Sequence, residues 1–446
     1  MVLSARIKDQ RLVMKSEGSA KGAGSATNIS RRNLLARAAS LAGAGALSSL
    51  AAGSALAETA IDRILNSNTR DRWSDQFDAR SGKTARVSSN TPVFAPQTVD
   101  YLHQAIAEYQ NIVASGGWPV VPANKKLRIG VSSASVGTLR KRLMISGDLP
   151  ASAGFSKQFD SYVDDAVKRF QRRHGLPADG VLGRYSFAAM NVPADIRLGQ
   201  LQTNLVRLKS MSGFLGDRYV MVNIPAAQIE AVENMVVAQR HTAIVGRISR
   251  QTPILNSKIY ELNLNPYWTA PKSIILKDII PLMRKDPKYL TDNKILLFDT
   301  KNEIVDPRTV DWSTDEAVNY RFRQEPGRIN AMGSVKINFP NPHAVYMHDT
   351  PQKGLFNKLL RFDSSGCVRV KNVRDLLVWL AKETQGGTRG DIENIIASGE
   401  RTDLKLAEAV PVYFTYISAW STDDGAVQFR DDIYQRDGVD ELALSQ

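Results

Sequence analysis

Among 446 residues there is a single cysteine, Cys367, so the chain can neither close an internal disulfide nor assemble a multi-thiolate zinc site. After the first 60 residues it has no apolar run long enough to span a bilayer, which excludes a membrane bundle. Aromatic residues make up only 7%, and no basic run or aromatic–basic interleaving stands out. Nucleic acid is therefore set aside as a partner despite a formal net charge of +13. Residues 1–57 hold eight basic and two acidic residues, nearly half of that surplus. The remainder favours an anionic partner such as a cell-wall or membrane surface. What is present, 43% hydrophobic and 23% charged residues, describes a globular chain with a core. The length fits two to four domains.

Ser30-Arg31-Arg32-Asn33-Leu34-Leu35 is followed by a stretch low in charge from Leu41 to Ala57, closing on Ala55-Leu56-Ala57. The order resembles a twin-arginine export signal with a small-x-small cleavage site. Residues 1–57 are read as a signal peptide, with a mature chain that starts near Glu58, lacks a transmembrane segment and resides in the periplasm. In that oxidising compartment an unpaired thiol is a flag for reactivity. Residues 58–95 are polar and read as a linker. Residues 96–127 read as an N-terminal scaffold segment, with Leu102, Ile106, Tyr109 and Val113 at helical spacing.

Residues 128–193 form a compact unit. Leu139, Leu143 and Gly147 suggest one helix and its cap, Phe159, Val163, Val167 and Phe170 mark the face of a second, and Tyr185 to Asn191 begins a third. Phe170-Gln171, Gly175-Leu176, Asp179-Gly180 and Gly183 have the order and spacing of a three-helix peptidoglycan-binding module, which this stretch resembles. That resemblance implies glycan or stem-peptide binding, or a degenerate module serving as a spacer, without naming a contact residue. His174 is read as a helix cap rather than a ligand. Residues 194–217 read as a connecting helix.

From 218 to 421 the pattern turns to short strands, among them Tyr219 to Pro225, Ala243 to Gly246 and Ser257 to Leu262. The fold class expected is a multidomain α+β chain, with a β-rich, sandwich-like catalytic domain that carries a lid insertion over 272–325, plus the three-helix module. A helix is expected over 371–384, and the polar stretch 422–446 is read as a loose tail.

The chemistry concentrates in Val345-Tyr346-Met347-His348-Asp349-Thr350-Pro351 and Phe362-Asp363-Ser364-Ser365-Gly366-Cys367-Val368-Arg369-Val370. A free thiol with a pKa near ~8.5 is only a few per cent ionised at neutral pH, and an imidazole can take its proton. Gly366 lets backbone approach a carbonyl, and amides near Cys367 suit an oxyanion. These parts match acyl transfer through a thioester. The alternative on composition alone is an inert buried Cys near one of five histidines, in a wall-binding scaffold. A papain-like protease has the opposite Cys-before-His order.

The His and the Ser-x-Gly-Cys turn resemble the L,D-transpeptidase signature, and more narrowly the YcbB-like branch. Val222-Asn223-Ile224-Pro225, Thr252-Pro253, Asn265-Pro266-Tyr267-Trp268 and Pro326-Gly327-Arg328-Ile329-Asn330 agree with it. The resemblance implies Cys367 as nucleophile and His348 as base, with Ser364, Ser365, Gly366, Arg369, Tyr346 and Trp268 in substrate binding. Arg369 would hold a substrate carboxylate by charge-assisted bonds, with a structural ion pair as the alternative. Asp349 is left out of the catalytic set. No metal or organic cofactor is expected. The expected substrates are peptidoglycan stem peptides, a donor tetrapeptide and an acceptor amine, joined in a 3→3 cross-link; water or an anchored envelope protein are the other acceptors. Ser365 stands where many relatives of the wider family carry a second His, and Leu208 follows Arg207 where the branch often has Trp.

Overall fold

The computed structural model describes residues 89–211 and 215–438. The expected export signal and most of the expected linker lie outside them. Helix α1 (Pro96–Ala114) begins with Pro, whose fixed φ suits the first turn and whose missing N–H costs nothing there. It buries Leu102, Ala105, Ile106 and Tyr109. The expected linker ends too late, because Val93, Phe94 and Ala95 are already core, and the Tyr219 hydroxyl donates to the Phe94 carbonyl at 2.6 Å. An apolar triplet at the end of a polar stretch reverses its assignment once a neighbouring strand offers a surface.

Three helices make the next unit: α2 (Ala134–Ile145), α3 (Ser161–Arg173) and α4 (Arg184–Met190). Asp160 caps α3 by accepting from the Val163 amide at 3.1 Å. Leu139, Leu143, Val163, Val167, Phe170 and Met190 fill the centre. Gln171 accepts from the Gly180 amide and donates to the Val181 carbonyl, both at 2.9 Å. Gly180 has φ +76°, and a Cβ there would fall 2.1 Å from the Asp164 carboxylate. The Phe-Gln and Asp-Gly pairs of the sequence are thus parts of one turn. His174 caps α3 through the Phe170 carbonyl at 2.8 Å and stacks on Phe170 and Phe429. Burial, then the nearby Arg173 and Arg197, hold its pKa well below the usual 6.5, so it is a neutral cap and does not act on the helix dipole as a cation. Helix α5 (Ala194–Ser210) follows and packs on α1.

The strands of the larger domain are β1 (Arg218–Asn223), β2 (Gln228–Glu233), β3 (Val236–Gly246) and β4 (Leu255–Leu264). After them the insertion contributes β5 (Trp268–Thr269), β6 (Ile295–Phe298), β7 (Ile304–Val305) and β8 (Arg321–Gln324). The remainder are β9 (Val335–Asn338), β10 (Met347–His348), β11 (Phe362–Ser364), β12 (Val368–Val370) and β13 (Thr402–Thr415). Nine of them form one mixed sheet, ordered β11-β3-β12-β10-β9-β4-β13-β1-β2, and β2 also pairs with β3, so the sheet closes on itself. Val222, Ile229, Val245, Ile337, Met347, Val368 and Val412 line its inside. Helix α6 (Val373–Leu380) buries Leu376, Leu377 and Leu380 in the same core, roughly 1.5–3 kcal/mol each. Helix α7 (Arg389–Ser398) flanks it.

The insertion has its own sheet, β5-β8-β6-β7, and its own core of Ile275, Ile279, Met283, Leu297 and Phe322. Its sheet starts at Trp268, ahead of the expected boundary at 272. The helical run 272–285 widens to a π-helix over Ile275–Ile279, just before Pro281, which has no N–H to continue an ordinary ladder.

The loose tail expected from 422 is corrected as far as residue 438. Strands β14 (Ala419–Ser421) and β15 (Val427–Phe429) pair as a hairpin, and Phe429, Ile433 and Tyr434 are buried. The stretch reads as polar because its apolar groups are few, yet each meets a hydrophobic site built elsewhere. Among the described residues no helix is long and apolar enough to cross a membrane.

Candidate active site

Strand alternation sets the site. Val335, Ile337, Met347, Val368 and Val370 point into the core, so Lys336, Tyr346, His348, Cys367 and Arg369 share the opposite face. Strands β10 and β12 run parallel with His348 opposite Arg369, and the Val368 amide donates to the Tyr346 carbonyl at 3.1 Å. Cys367, one residue before β12, therefore sits beside Tyr346 and His348. The Tyr346 ring lies 5.6 Å from the His348 ring, edge to face. The amide and hydroxyl of Tyr346 both act on the Cys367 thiol and favour its ionised form, and Trp268 of β5 acts on the same hydroxyl.

His348 is 7% exposed, and its Nδ1 has no hydrogen-bond partner among the described residues. Burial first, then the charges of Arg369 and Lys336, push its pKa down to about 3 against the opposing carbonyl and carboxylate of Asp349. Burial pushes the Cys367 thiol up, opposed by Tyr346, Lys336 and Arg369. Both shifts favour a neutral thiol and a neutral imidazole, the protonation state in which the ring can accept a proton.

The turn that presents Cys367 is braced from within. Ser364 is buried; its hydroxyl donates to the Cys367 carbonyl at 2.5 Å and accepts from the Gly366 amide at 3.2 Å. The Ser364 hydroxyl, expected among the substrate-binding groups, is thus taken up inside the turn. Ser365 is exposed, and Gly366 holds φ +114°, which disfavours any side chain. Arg369 forms no ion pair with a carboxylate among the described residues; its Nη1 donates to Gln352 at 3.0 Å, and its buried Nε has no partner. Asp349 accepts from the amide and hydroxyl of Ser334 and pairs with Lys353. Its carboxylate is thereby turned from the imidazole.

Sequence reasoning missed three contributors. Thr252, fully buried, accepts from the Gly246 amide and donates to the Gly366 carbonyl, both at 2.8 Å. Thr252-Pro253 was visible only as a string in a resemblance. Arg250 holds Asp278 of the insertion through both guanidinium nitrogens and donates to the Ser365 hydroxyl at 2.9 Å. The third, Lys336, stands between two core residues of β9, and alternation would have set it on the polar face once the strand was assigned.

Residues 217–392 match the family described as L,D-transpeptidase catalytic domain, and residues 132–190 match the one described as "Putative peptidoglycan binding domain". The region similar to the L,D-transpeptidase catalytic domain is thus preceded by one similar to the peptidoglycan-binding domain. It is 36% identical over 245 residues to a protein of Haemophilus influenzae named "Putative L,D-transpeptidase", a match that covers 55% of this chain and 49% of that protein. The chain therefore spans about half the length of this curated relative. Among solved structures, an L,D-transpeptidase of Stackebrandtia nassauensis is 13% identical with a TM-score of 0.24, covering 67% of this chain and 96% of that one. Another from Xylanimonas cellulosilytica is 14% identical with a TM-score of 0.21, covering 66% and 99%.

Proposed function

We propose that the protein is a periplasmic peptidoglycan L,D-transpeptidase with Cys367 as nucleophile and His348 as base. The single observation that carries this is the sharing of one polar face by the only thiol and an unprotonated imidazole, with Tyr346 against both. In the first step His348 takes the thiol proton, Sγ bonds to the carbonyl carbon of residue 3 of a donor tetrapeptide, and the C–N bond to the terminal D-residue breaks. His348 returns the proton to the departing amine. In the second step the side-chain amine of an acceptor stem attacks the thioester, its proton passes to the thiol, and a 3→3 cross-link forms. No external redox partner or metal enters this balance.

The Gly366 amide is bound by Ser364 and that of Val368 by Tyr346, so the Cys367 amide is the turn's available donor to an oxyanion. Such a donor is worth roughly 3–4 kcal/mol in the transition state. Arg369, with its free Nε, suits a donor carboxylate. The insertion 272–325 acts as a lid that keeps water from the thioester and favours transfer over hydrolysis.

Incubation of the purified chain with disaccharide-tetrapeptides tests the reading. Dimers lacking one terminal residue are expected; tripeptides alone would mean a hydrolase. Exposure to a carbapenem followed by intact-mass measurement gives an adduct on Cys367 if the thiol is a nucleophile, and an unmodified chain would leave only a wall-binding scaffold.

A further inference from the structure

Lys336 on β9 is in register with His348 on β10, which is in register with Arg369 on β12. One row across three strands thus carries two cations on either side of the imidazole, all on the face opposite the core. Lys336 is half-buried, its Nζ lies 4.8 Å from the centre of the Tyr346 ring, and among the described residues its ammonium makes no ion pair or hydrogen bond. Glu261 on β4 and Asp403 on β13 act on it at a distance, opposed by Arg401, but neither carboxylate pairs with it, each being hydrogen-bonded elsewhere. Glu261 accepts from Asn263 and Asn338, and Asp403 accepts from Asn263 and Arg401. A desolvated ammonium left without a carboxylate is costly, and such groups are kept where a charge has a use.

The charge it faces is at the thiol. The Tyr346 ring under Lys336 stands beside Cys367 across β10 and β12, and its hydroxyl acts on the thiol. The other charged neighbour of the sulfur is Arg369 on β12 itself, with Asp363 and Arg247 acting on Arg369, and the His348 imidazole on β10 is neutral. Burial keeps His348 from holding a proton, so the imidazolium that would stabilise a thiolate is itself disfavoured here. A permanent cation is needed to share that task.

We propose that Lys336 is a positioning residue of the site, whose ammonium over Tyr346 stabilises the negative charge that Cys367 acquires on losing its proton. The inference rests on Cys367 being the nucleophile of the proposed reaction. Lys336 acts against the upward push of burial on the thiol, and Cys367 acts in turn on Lys336.

Alkylation of Cys367 in the full chain by iodoacetamide, followed by intact mass across pH 6 to 10, reads the thiolate directly and needs no peptide substrate. Lys336→Met is expected to raise the midpoint by about one pH unit and to slow alkylation at pH 7 about ten-fold, with Lys336→Arg restoring most of the rate. A Lys336→Met profile that superimposes on the parent's overturns the proposal, as does an Arg variant no better than Met. If Lys336→Met fails to fold, Lys336→Gln is read the same way. A parent thiol inert at every pH overturns the nucleophile itself, whereas a reactive parent with unaffected variants removes only Lys336.

Discussion

Two hydroxyls hold the turn that presents the thiol. Thr252 joins the end of β3 to the carbonyl of Gly366, and Ser364 closes the turn on itself. Thr252→Val keeps the shape but strands a buried N–H and a buried C=O. It is expected to cost about 1–3 kcal/mol, read as a lower denaturant midpoint, and to slow carbapenem acylation; Thr252→Ser retains both bonds. At the reacting atoms, Cys367→Ala abolishes the adduct. His348→Gln slows acylation roughly 10²–10⁴-fold, because a carboxamide cannot take a proton. An acylation rate unchanged in His348→Gln would remove the imidazole from the mechanism.

Between elements, Arg250 is the only residue among the described ones whose guanidinium touches both the insertion and the Cys turn, through Asp278 and Ser365. Gly246 permits this, since a Cβ there would lie 2.2 Å from the Arg250 carbonyl and push the loop 247–252 away. Asp278 sits on the π-helical turn, where the ladder is already wider than usual. Loss of the paired guanidinium contacts in Asp278→Ala is expected to free the run 272–285. Hydrogen exchange there should rise, and hydrolysed tripeptide should increase relative to cross-linked dimer. Unchanged exchange and product ratio would show that the ion pair does not hold the insertion.

At the scale of the molecule, the C-terminal hairpin and the segment after it join the three-helix unit to the elements that brace the Cys367 turn. Arg173 donates to the Val427 carbonyl and Arg430 to that of Arg173, while a Cβ on Gly175 would lie 2.7 Å from the Arg430 guanidinium. Further on, the Tyr434 hydroxyl accepts from the Thr252 amide and donates to the Gly246 carbonyl. A chain ended at Ser421 loses Phe429, Ile433 and Tyr434 from two cores and is expected to be recovered unfolded or insoluble, as judged by circular dichroism and sedimentation. His174 gives the same junction a pH dependence. Its folded pKa lies below the usual 6.5, so the unfolded state binds more protons, and stability rises with pH up to about that value and is lost below it. His174→Phe, which keeps the stacking on Phe429, is expected to flatten the slope of the unfolding midpoint below about pH 6.5, leaving the parallel contribution of His348.

Much of this was legible from residue order. The 3.6-residue spacing of Leu102, Ile106 and Tyr109 and the face made by Val163, Val167 and Phe170 are local patterns, and both are helices in the structure. The placing of Cys367 nineteen positions after His348, with a glycine turn before the thiol, already pointed to one site. Lys336, Thr252 and the Arg250–Asp278 pair were not legible, and neither was the packed fate of Val93 to Ala95 and of Val427 to Phe429. Period and turn chemistry depend on neighbours in the chain, so the sequence alone determines the elements and their buried faces. Which charge stands beside which thiol depends on strand register and on contacts across 28 to 188 residues, and these exist only once the sheet has closed.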